Sequence, residues 1–334
     1  MADAQIHAPA KLSDGGGDIL WFSDQTAKVV EELFKTCESM VCIFSLGAVI
    51  RLIAPVLRDK KTDPAVLVID DKATYVISAL SGHLGGANAL ARTIGAILDA
   101  SPVITTAADV NETIPVDLVG RQFGWTIEDF ANVTSTSALM VNEESIAVYQ
   151  EAGEKTWWTS KLPKNVTLVN SLEDAVAGEF KGALVISDRI FKDSRILNKA
   201  VIYRPKSLVV GVGLHWDTGA DTIEAGIRQV FERENLSVKC IRTICTADRG
   251  AKVKGLEEFG KLWNLPVNYF SKESLNSVEV PNPSEVVRKF ESTASVSEAA
   301  SILGSQSGSL IVQKQKFPPN LTVAVSRFAF GETK

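Results

Sequence analysis

The sequence predicts a multidomain α/β protein, two α/β sandwich-type domains joined by a smaller middle domain. Three observations predict it. A chain of 334 residues is too long for one ordinary core, so two or three domains are expected. Short apolar runs alternate with helix-period segments near both ends. The stretch Ser81-Gly82-His83-Leu84-Gly85-Gly86-Ala87-Asn88 joins a strand-like run, Tyr75 to Leu80, to a segment with helical periodicity. In that segment, Ala89 to Leu98, the residues Leu90, Ile94, Ile97 and Leu98 share one face.

The expected organisation is a disordered leader over 1–17, an N-terminal α/β domain over 18–125, a middle domain over 126–205 and a C-terminal α/β domain over 206–334. The leader is polar and glycine-rich. Asp18 to Trp21 reads as a short strand and Gln25 to Phe34 as a helix with Val29, Val30, Leu33 and Phe34 on one face. Val41 to Phe44 is strand-like, Val49, Ile50, Ile53 and Leu57 suit a helix, and Pro55 ends it early. Ala65 to Ile69 and Ala73 to Leu80 form a hairpin through Asp70-Asp71-Lys72. After the glycine loop and its helix, Pro102 to Thr106 is another strand.

The middle is less regular, with strands expected at Ser145 to Tyr149 and Ala183 to Ser187. Trp157-Trp158 either stack on a flat ligand or pack in a core, the second being the usual fate of such pairs. From Ser207 the alternation is clean. Strands are expected at Ser207–Val212, Val238–Cys245, Pro266–Phe270, Leu310–Gln313 and Thr322–Ser326. Helices are expected at Asp221–Glu234, Lys254–Trp263, Pro283–Phe290 and Ser297–Leu303.

Composition narrows the function. Net charge is −5, which argues against a general nucleic-acid binder. No run of about 18 apolar residues is present, so no membrane span is expected and a cytoplasmic location is. Cys37, Cys42, Cys240 and Cys245 form no CxxC and have no neighbouring His; they read as small core residues in a reducing compartment.

The chemistry is expected at the glycine loop. Such a loop aims backbone N–H groups and a helix dipole at whatever lies beyond the strand end. It lacks both GxGxxG spacing and a P-loop Lys-Ser/Thr, leaving a general anion cradle. His83 is either a locally satisfied histidine or an acid–base group, and the glycines and Asn88 around it favour the second. Ser81 reads as a cap or hydrogen-bond donor, since no GxSxG elbow surrounds it. Thr105, Thr106 and Asp109 either end a strand and cap the next turn or bind a polar substrate edge. Arg51 and Lys60 are either solvated charges or carboxylate partners. His215 with Asp217 does not make a metal site.

These residues carry a resemblance. Leu80-Ser81-Gly82-His83-Leu84-Gly85-Gly86-Ala87-Asn88, followed by Pro102-Val103-Ile104-Thr105-Thr106-Ala107-Ala108-Asp109, resembles the CbiG family of cobalamin biosynthesis, the cobalt-precorrin-5A hydrolases. Gly47 with Arg51-Leu52-Ile53-Ala54-Pro55 and Lys60-Lys61-Thr62-Asp63-Pro64-Ala65-Val66 fit the same pattern. So do Trp157, Tyr203-Arg204-Pro205-Lys206, Gly211-Val212-Gly213, Pro283-Ser284, Val296-Ser297-Glu298-Ala299-Ala300 and Thr322-Val323-Ala324-Val325. Two departures stand in the C-terminal part. Leu214-His215 replace the usual Cys-Arg, and Val253-Lys254 stand where an acidic residue usually precedes Gly255-Leu256.

The resemblance implies hydrolysis of the ring-fused δ-lactone of cobalt-precorrin-5A, loss of acetaldehyde and formation of cobalt-precorrin-5B. It implies no cofactor, because cobalt travels inside the corrinoid substrate. On that reading His83 is the general base, with a histidine's pKa near ~6.5 suited to neutral pH. Backbone N–H groups of Gly85, Gly86 and Ala87 form the oxyanion hole, with Ser81 and Gly82 in the same cradle. Asn88 or Thr106 stabilises developing charge, and Arg51 and Lys60 hold peripheral carboxylates. The expected partners are the corrinoid, another copy of the chain, or pathway methyltransferases in transient contact; no nucleic acid and no membrane. The rival reading is a non-catalytic corrinoid-binding or delivery protein.

Overall fold

A computed structural model of the chain describes residues 4–13, 17–59, 62–282, 295–306 and 310–331. The chain divides into two compact units, Met1–Leu118 and Val119–Lys334.

In the first unit, β1 (Ile6–Pro9) pairs in parallel with β2 (Ile19–Phe22). This corrects the expected disordered leader: a four-residue strand hides in a stretch whose overall composition is polar. There follow α1 (Thr26–Thr36), β3 (Ser39–Ile43), α2 (Leu46–Ile53), β4 (Ala65–Ile69), β5 (Tyr75–Leu80), α3 (Ala87–Leu98), β6 (Ser101–Val103) and α4 (Ala107–Val110). The sheet order is β3-β4-β5-β6. The β4–β5 pair is the antiparallel hairpin, flanked by parallel β3 and β6. Pro55 falls in a single 3-10 turn, Ala54–Val56, that ends α2.

Every residue of β4 is buried, because both faces of the sheet are covered. Val66 and Val68 pack with Val30, Phe34, Val49 and Ile53 from α1 and α2. Ala65, Leu67 and Ile69 pack with Ala87, Ala91 and Ile94 from α3. The period-2 alternation of a strand sends successive side chains to opposite layers. Each buried Val or Leu contributes about 1.5–3 kcal/mol. This sandwich fixes the carboxyl ends of β5 and β6, two parallel neighbours, next to each other.

The second unit holds two five-stranded sheets. In the first lie β7 (Thr126–Ile127), β8 (Ile146–Gln150), β9 (Val166–Val169), β10 (Gly182–Ile186) and β11 (Ala200–Arg204), in the order β7-β11-β10-β8-β9. Around them run α5 (Val133–Val141), α6 (Leu172–Val176) and α7 (Ser194–Leu197). This stretch is more regular than its sequence suggests. Strands and helices of four or five residues are too short to show a period. Trp157 is a core residue, its Nε1 donating to Gln150 Oε1 at 2.9 Å.

The second sheet contains β12 (Leu208–Leu214), β13 (Ile241–Ala247), β14 (Val267–Phe270), β15 (Leu310–Phe317) and β16 (Leu321–Arg327), in the order β14-β13-β12-β16-β15. Its helices are α8 (Ala220–Arg233), α9 (Lys254–Leu262), α10 (Lys272–Asn276) and α11 (Val296–Ser305). Gly211 of β12 lies so close to α11 that a Cβ there would stand 1.9 Å from the Ser297 carbonyl oxygen. Val238–Cys240 turn as a 3-10 segment before β13, where a strand was expected from Val238. The helix expected over Pro283–Phe290 lies outside the described residues.

The middle and C-terminal segments, expected as separate domains, form one unit, and buried charge joins them. Asp188, just past β10, is fully buried. It accepts from Arg327 Nε at 2.8 Å and Nη2 at 2.7 Å, at the end of β16, and from Ser207 Oγ at 2.9 Å. Arg204 is buried at the end of β11, its Nε donating to Glu128 at 2.6 Å and its Nη1 to the Ser187 carbonyl at 3.0 Å. Lys239 reaches back from the C-terminal segment to the Glu128 carbonyl at 2.8 Å. Removing one partner of a buried pair strands the other charge, at a cost of about 3–5 kcal/mol. Arg327→Met is therefore expected to destabilise the unit by about 3 kcal/mol, and adding Asp188→Asn to recover part of that loss. Urea unfolding midpoints check this; an unchanged midpoint for Arg327→Met would refute the ionic joint.

Candidate functional site

The glycine loop leaves β5 through Ser81, whose φ of 54° lies in the left-handed region. Ser81 Oγ donates to the Asp63 carbonyl at 2.9 Å, tying the loop to the chain entering β4. Gly86, with φ of 89°, is the residue from which α3 starts. That conformation strains any residue with a Cβ, which accounts for glycine there. The loop then closes on itself. The N–H of Gly86 donates to the His83 carbonyl at 3.0 Å, that of Ala87 to Ser81 at 3.2 Å and that of Asn88 to Gly82 at 2.9 Å. This bears directly on the oxyanion hole expected from Gly85, Gly86 and Ala87. Two of its three N–H groups are already bonded within the loop. Gly85 itself packs on Ser81.

Asn88, at 4% exposure, is the hub beneath the loop. Its Nδ2 donates to Thr106 Oγ1 at 2.9 Å and to Asp109 Oδ2 at 2.8 Å, and its Oδ1 accepts from Ser78 Oγ at 2.7 Å. These partners orient the amide, since its nitrogen faces two oxygens. Gly82 makes room for it: a Cβ at that position would stand 2.6 Å from Asn88 Oδ1.

His83 lies between two carboxylates. Its Nε2 is 2.9 Å from Asp109 Oδ2, and its Nδ1 is 3.2 Å from Asp117 Oδ1. With an acceptor on each nitrogen, the ring is satisfied on both sides only as the imidazolium. The bond to Asp117 is the main cause that holds its pKa above the ordinary histidine value. Burial opposes this, while the bond to Asp109 and both negative charges add to it. Asp109 also accepts from Arg92 Nη2 at 2.5 Å. Burial alone would raise the Asp109 pKa, but the bonds from Arg92 and His83 outweigh it and hold it below the usual carboxylate range.

Of the residues singled out by sequence, His83, Asn88, Thr106 and Asp109 come together, with Ser81, Gly82, Gly85 and Gly86 building the loop beside them. Thr105 is exposed next to Thr106. Arg51 is exposed on α2 and donates to the Gly47 carbonyl of its own helix at 3.2 Å. Lys60 lies outside the described residues. Three members escaped sequence reasoning: Ser78, Arg92 and Asp117. Arg92 had a usable signal, since it follows Asn88 by one helical turn and shares its face. Asp117 had none, because it sits in an irregular segment after α4. Among the described residues no group of His, Cys, Asp and Glu is arranged to hold a metal ion, and no helix is long and apolar enough to cross a membrane.

Comparison with known proteins covers most of the chain. Residues 28–109 match the family described as Cobalamin synthesis G N-terminal (CbiG_N), residues 114–205 the Cobalamin biosynthesis central region, and residues 208–326 the Cobalamin synthesis G C-terminus. The chain is 43% identical over 313 residues to the cobalt-precorrin-5A hydrolase of Priestia megaterium, spanning 92% of this chain and 83% of that one. It is 30% identical over 295 residues to the cobalt-precorrin-5A hydrolase of Salmonella typhimurium, spanning 85% and 81%. A solved structure of CobE, a protein from the cobalamin biosynthetic pathway, aligns with 37% of this chain and 92% of its own at 21% identity, with a TM-score of 0.35. That superposition is too loose for an argument from shape.

The paired imidazolium has a consequence for stability. Its folded pKa lies above the unfolded value, so its contribution is complete below about pH 6.5 and is lost as pH rises through the raised value. His83→Gln is thus expected to lower the urea midpoint of the first unit more at about pH 6 than at about pH 9. A deficit independent of pH would show that the ring is not charged in the folded chain.

Proposed function

The chain belongs to the CbiG family of cobalamin-synthesis proteins, and on that premise we propose that it opens the ring-fused δ-lactone of cobalt-precorrin-5A, releases acetaldehyde and yields cobalt-precorrin-5B. The observation that carries this reading is the doubly paired His83, part-exposed at the carboxyl ends of two parallel strands. Ligands of α/β sheets bind beyond such strand ends.

Lactone opening breaks the bond between the acyl carbon and the ring oxygen. The oxygen that leaves needs a proton. The His83 imidazolium supplies it, as a positioned acid at the right pH. Once neutral, the same ring is a base. It draws the proton from the freed hydroxyl as the carbon–carbon bond breaks; the electron pair of that bond stays on the macrocycle carbon, which takes up a proton from water, and the two-carbon fragment departs as the aldehyde. The base role expected from sequence is therefore the second of two tasks for one imidazole.

Asn88 acts by holding Asp109 and Thr106 in place, which fixes the ring. Gly85 offers the loop N–H that is not spent on closing the turn, and Thr105, Thr106, Ser81 and Gly82 line the approach. Arg51 and Lys60 serve the peripheral carboxylates of the macrocycle, where guanidinium and ammonium groups pair well. Cobalt enters as part of the substrate.

The test is anaerobic incubation with cobalt-precorrin-5A, following acetaldehyde and the mass of the corrinoid. Stoichiometric acetaldehyde with the matching mass loss is expected. His83→Ala is expected to slow release by about 100-fold or more, and Asn88→Ala to slow it through loss of ring orientation. Tight binding without any mass change would instead favour a corrinoid carrier. Turnover of His83→Ala within a few-fold of wild type would remove His83 from the chemistry.

A further inference from the structure

The two carboxylates on His83 are not equivalent. Asp109 accepts from three side chains: His83, Asn88 and Arg92. Its lone pairs and its charge are largely committed, and the helical turn of α4 fixes its backbone. Among the described residues Asp117 has one side-chain partner, His83 Nδ1, at the longer distance of 3.2 Å. A carboxylate offers about four acceptor positions, so most of its capacity is open to water. Its backbone is nevertheless firm. It lies inside the turn closed by the Leu118 N–H donating to the Pro115 carbonyl at 2.8 Å, and its neighbours Ile114 and Val116 are both buried to 1% exposure. The side chain itself is 17% exposed.

From this asymmetry we propose that Asp117 is the carboxylate that takes the proton of the hydrolytic water, while Asp109 serves only to position the ring. The proposal rests on the lactone-hydrolase reading given above. The step balances. Water adds to the lactone carbonyl carbon, and its proton passes to an Asp117 oxygen. The tetrahedral intermediate collapses with cleavage of the acyl–oxygen bond, and the departing oxygen receives the His83 Nδ1 proton. This opening leaves His83 neutral for the carbon–carbon step and Asp117 protonated; Asp117 gives its proton to water once the ring is recharged, so the sum of the opening is the addition of one water, with no oxidant or reductant.

Among the described residues the charged groups facing the ring are Asp109 from α4, Asp117 from the turn, and Arg92 from α3 through Asp109.

The test compares Asp117→Asn, Asp117→Glu and Asp109→Asn with wild type on cobalt-precorrin-5A, recording acetaldehyde release against pH. Asp117→Asn is expected to lose about 100-fold or more in kcat with KM within a few-fold, and to lose the acid limb of the pH profile. Asp117→Glu is expected to regain part of the rate together with that limb. Asp109→Asn is expected to lose rate while keeping the limb. Asp117→Asn that turns over within about three-fold of wild type with the acid limb intact would overturn the assignment and leave the hydrolase reading standing. The same holds if Asp117→Glu shows the wild-type urea midpoint but no regained turnover. Wild type that releases no acetaldehyde would overturn the hydrolase reading, and Asp117 with it.

Discussion

The site depends on one interaction: the Asp109 carboxylate accepting three donors at once, from His83, Asn88 and Arg92. Each donor comes from a different point along the loop–helix that follows β5, whereas Asp109 comes from the short helix after β6. The carboxylate thus clasps the ends of two neighbouring strands. Without it the buried Asn88 amide would lose an acceptor, the imidazolium one counterion and Arg92 its partner. Charge-assisted hydrogen bonds of this kind are stronger than neutral ones, and partial burial keeps water from competing. The glycines are secondary to this. Gly82 clears space for Asn88, and Gly86 lets the helix begin where Asn88 must stand.

How much of this was legible in the sequence follows from how local each feature is. The strand–loop–helix unit could be read because its apolar periods are long enough and its glycines contiguous. His83, Asn88, Thr106 and Asp109 were legible as candidates because each stands at a strand end. Their mutual bonding was not, since hydrogen-bond direction depends on tertiary placement. The expected oxyanion hole narrows for a physical reason: a tight loop uses some of its own N–H groups, here those of Gly86 and Ala87, to close, so glycine content does not count free donors. Asp117 was invisible because nothing in Thr113-Ile114-Pro115-Val116-Asp117-Leu118 marks its side chain for a histidine far back in the chain. In the second unit, strands of four and five residues left no period to read, and a joint made of buried charges gives no compositional signal.

The two units hold their charges differently. In the first, ionic groups sit part-exposed at a strand end, where they can exchange protons. In the second, Asp188 and Arg204 are buried, and the pairs act as structural joints. Burial decides between the two fates. A buried ion pair contributes specificity of arrangement more than net stability, and its natural place is between segments that must meet in one way only.

The Asp188–Arg327 joint also bears on how the chain comes to be folded. Asp188 is made long before Arg327, with the whole of β12 to β15 emerging between them. Until β16 arrives, the middle segment has a carboxylate destined for the interior and no cation to meet it. Vectorial synthesis favours domains that complete themselves from the N-terminal side. Here that order is broken. The two partners stand 139 residues apart in sequence, so this joint can close only after synthesis has passed Arg327.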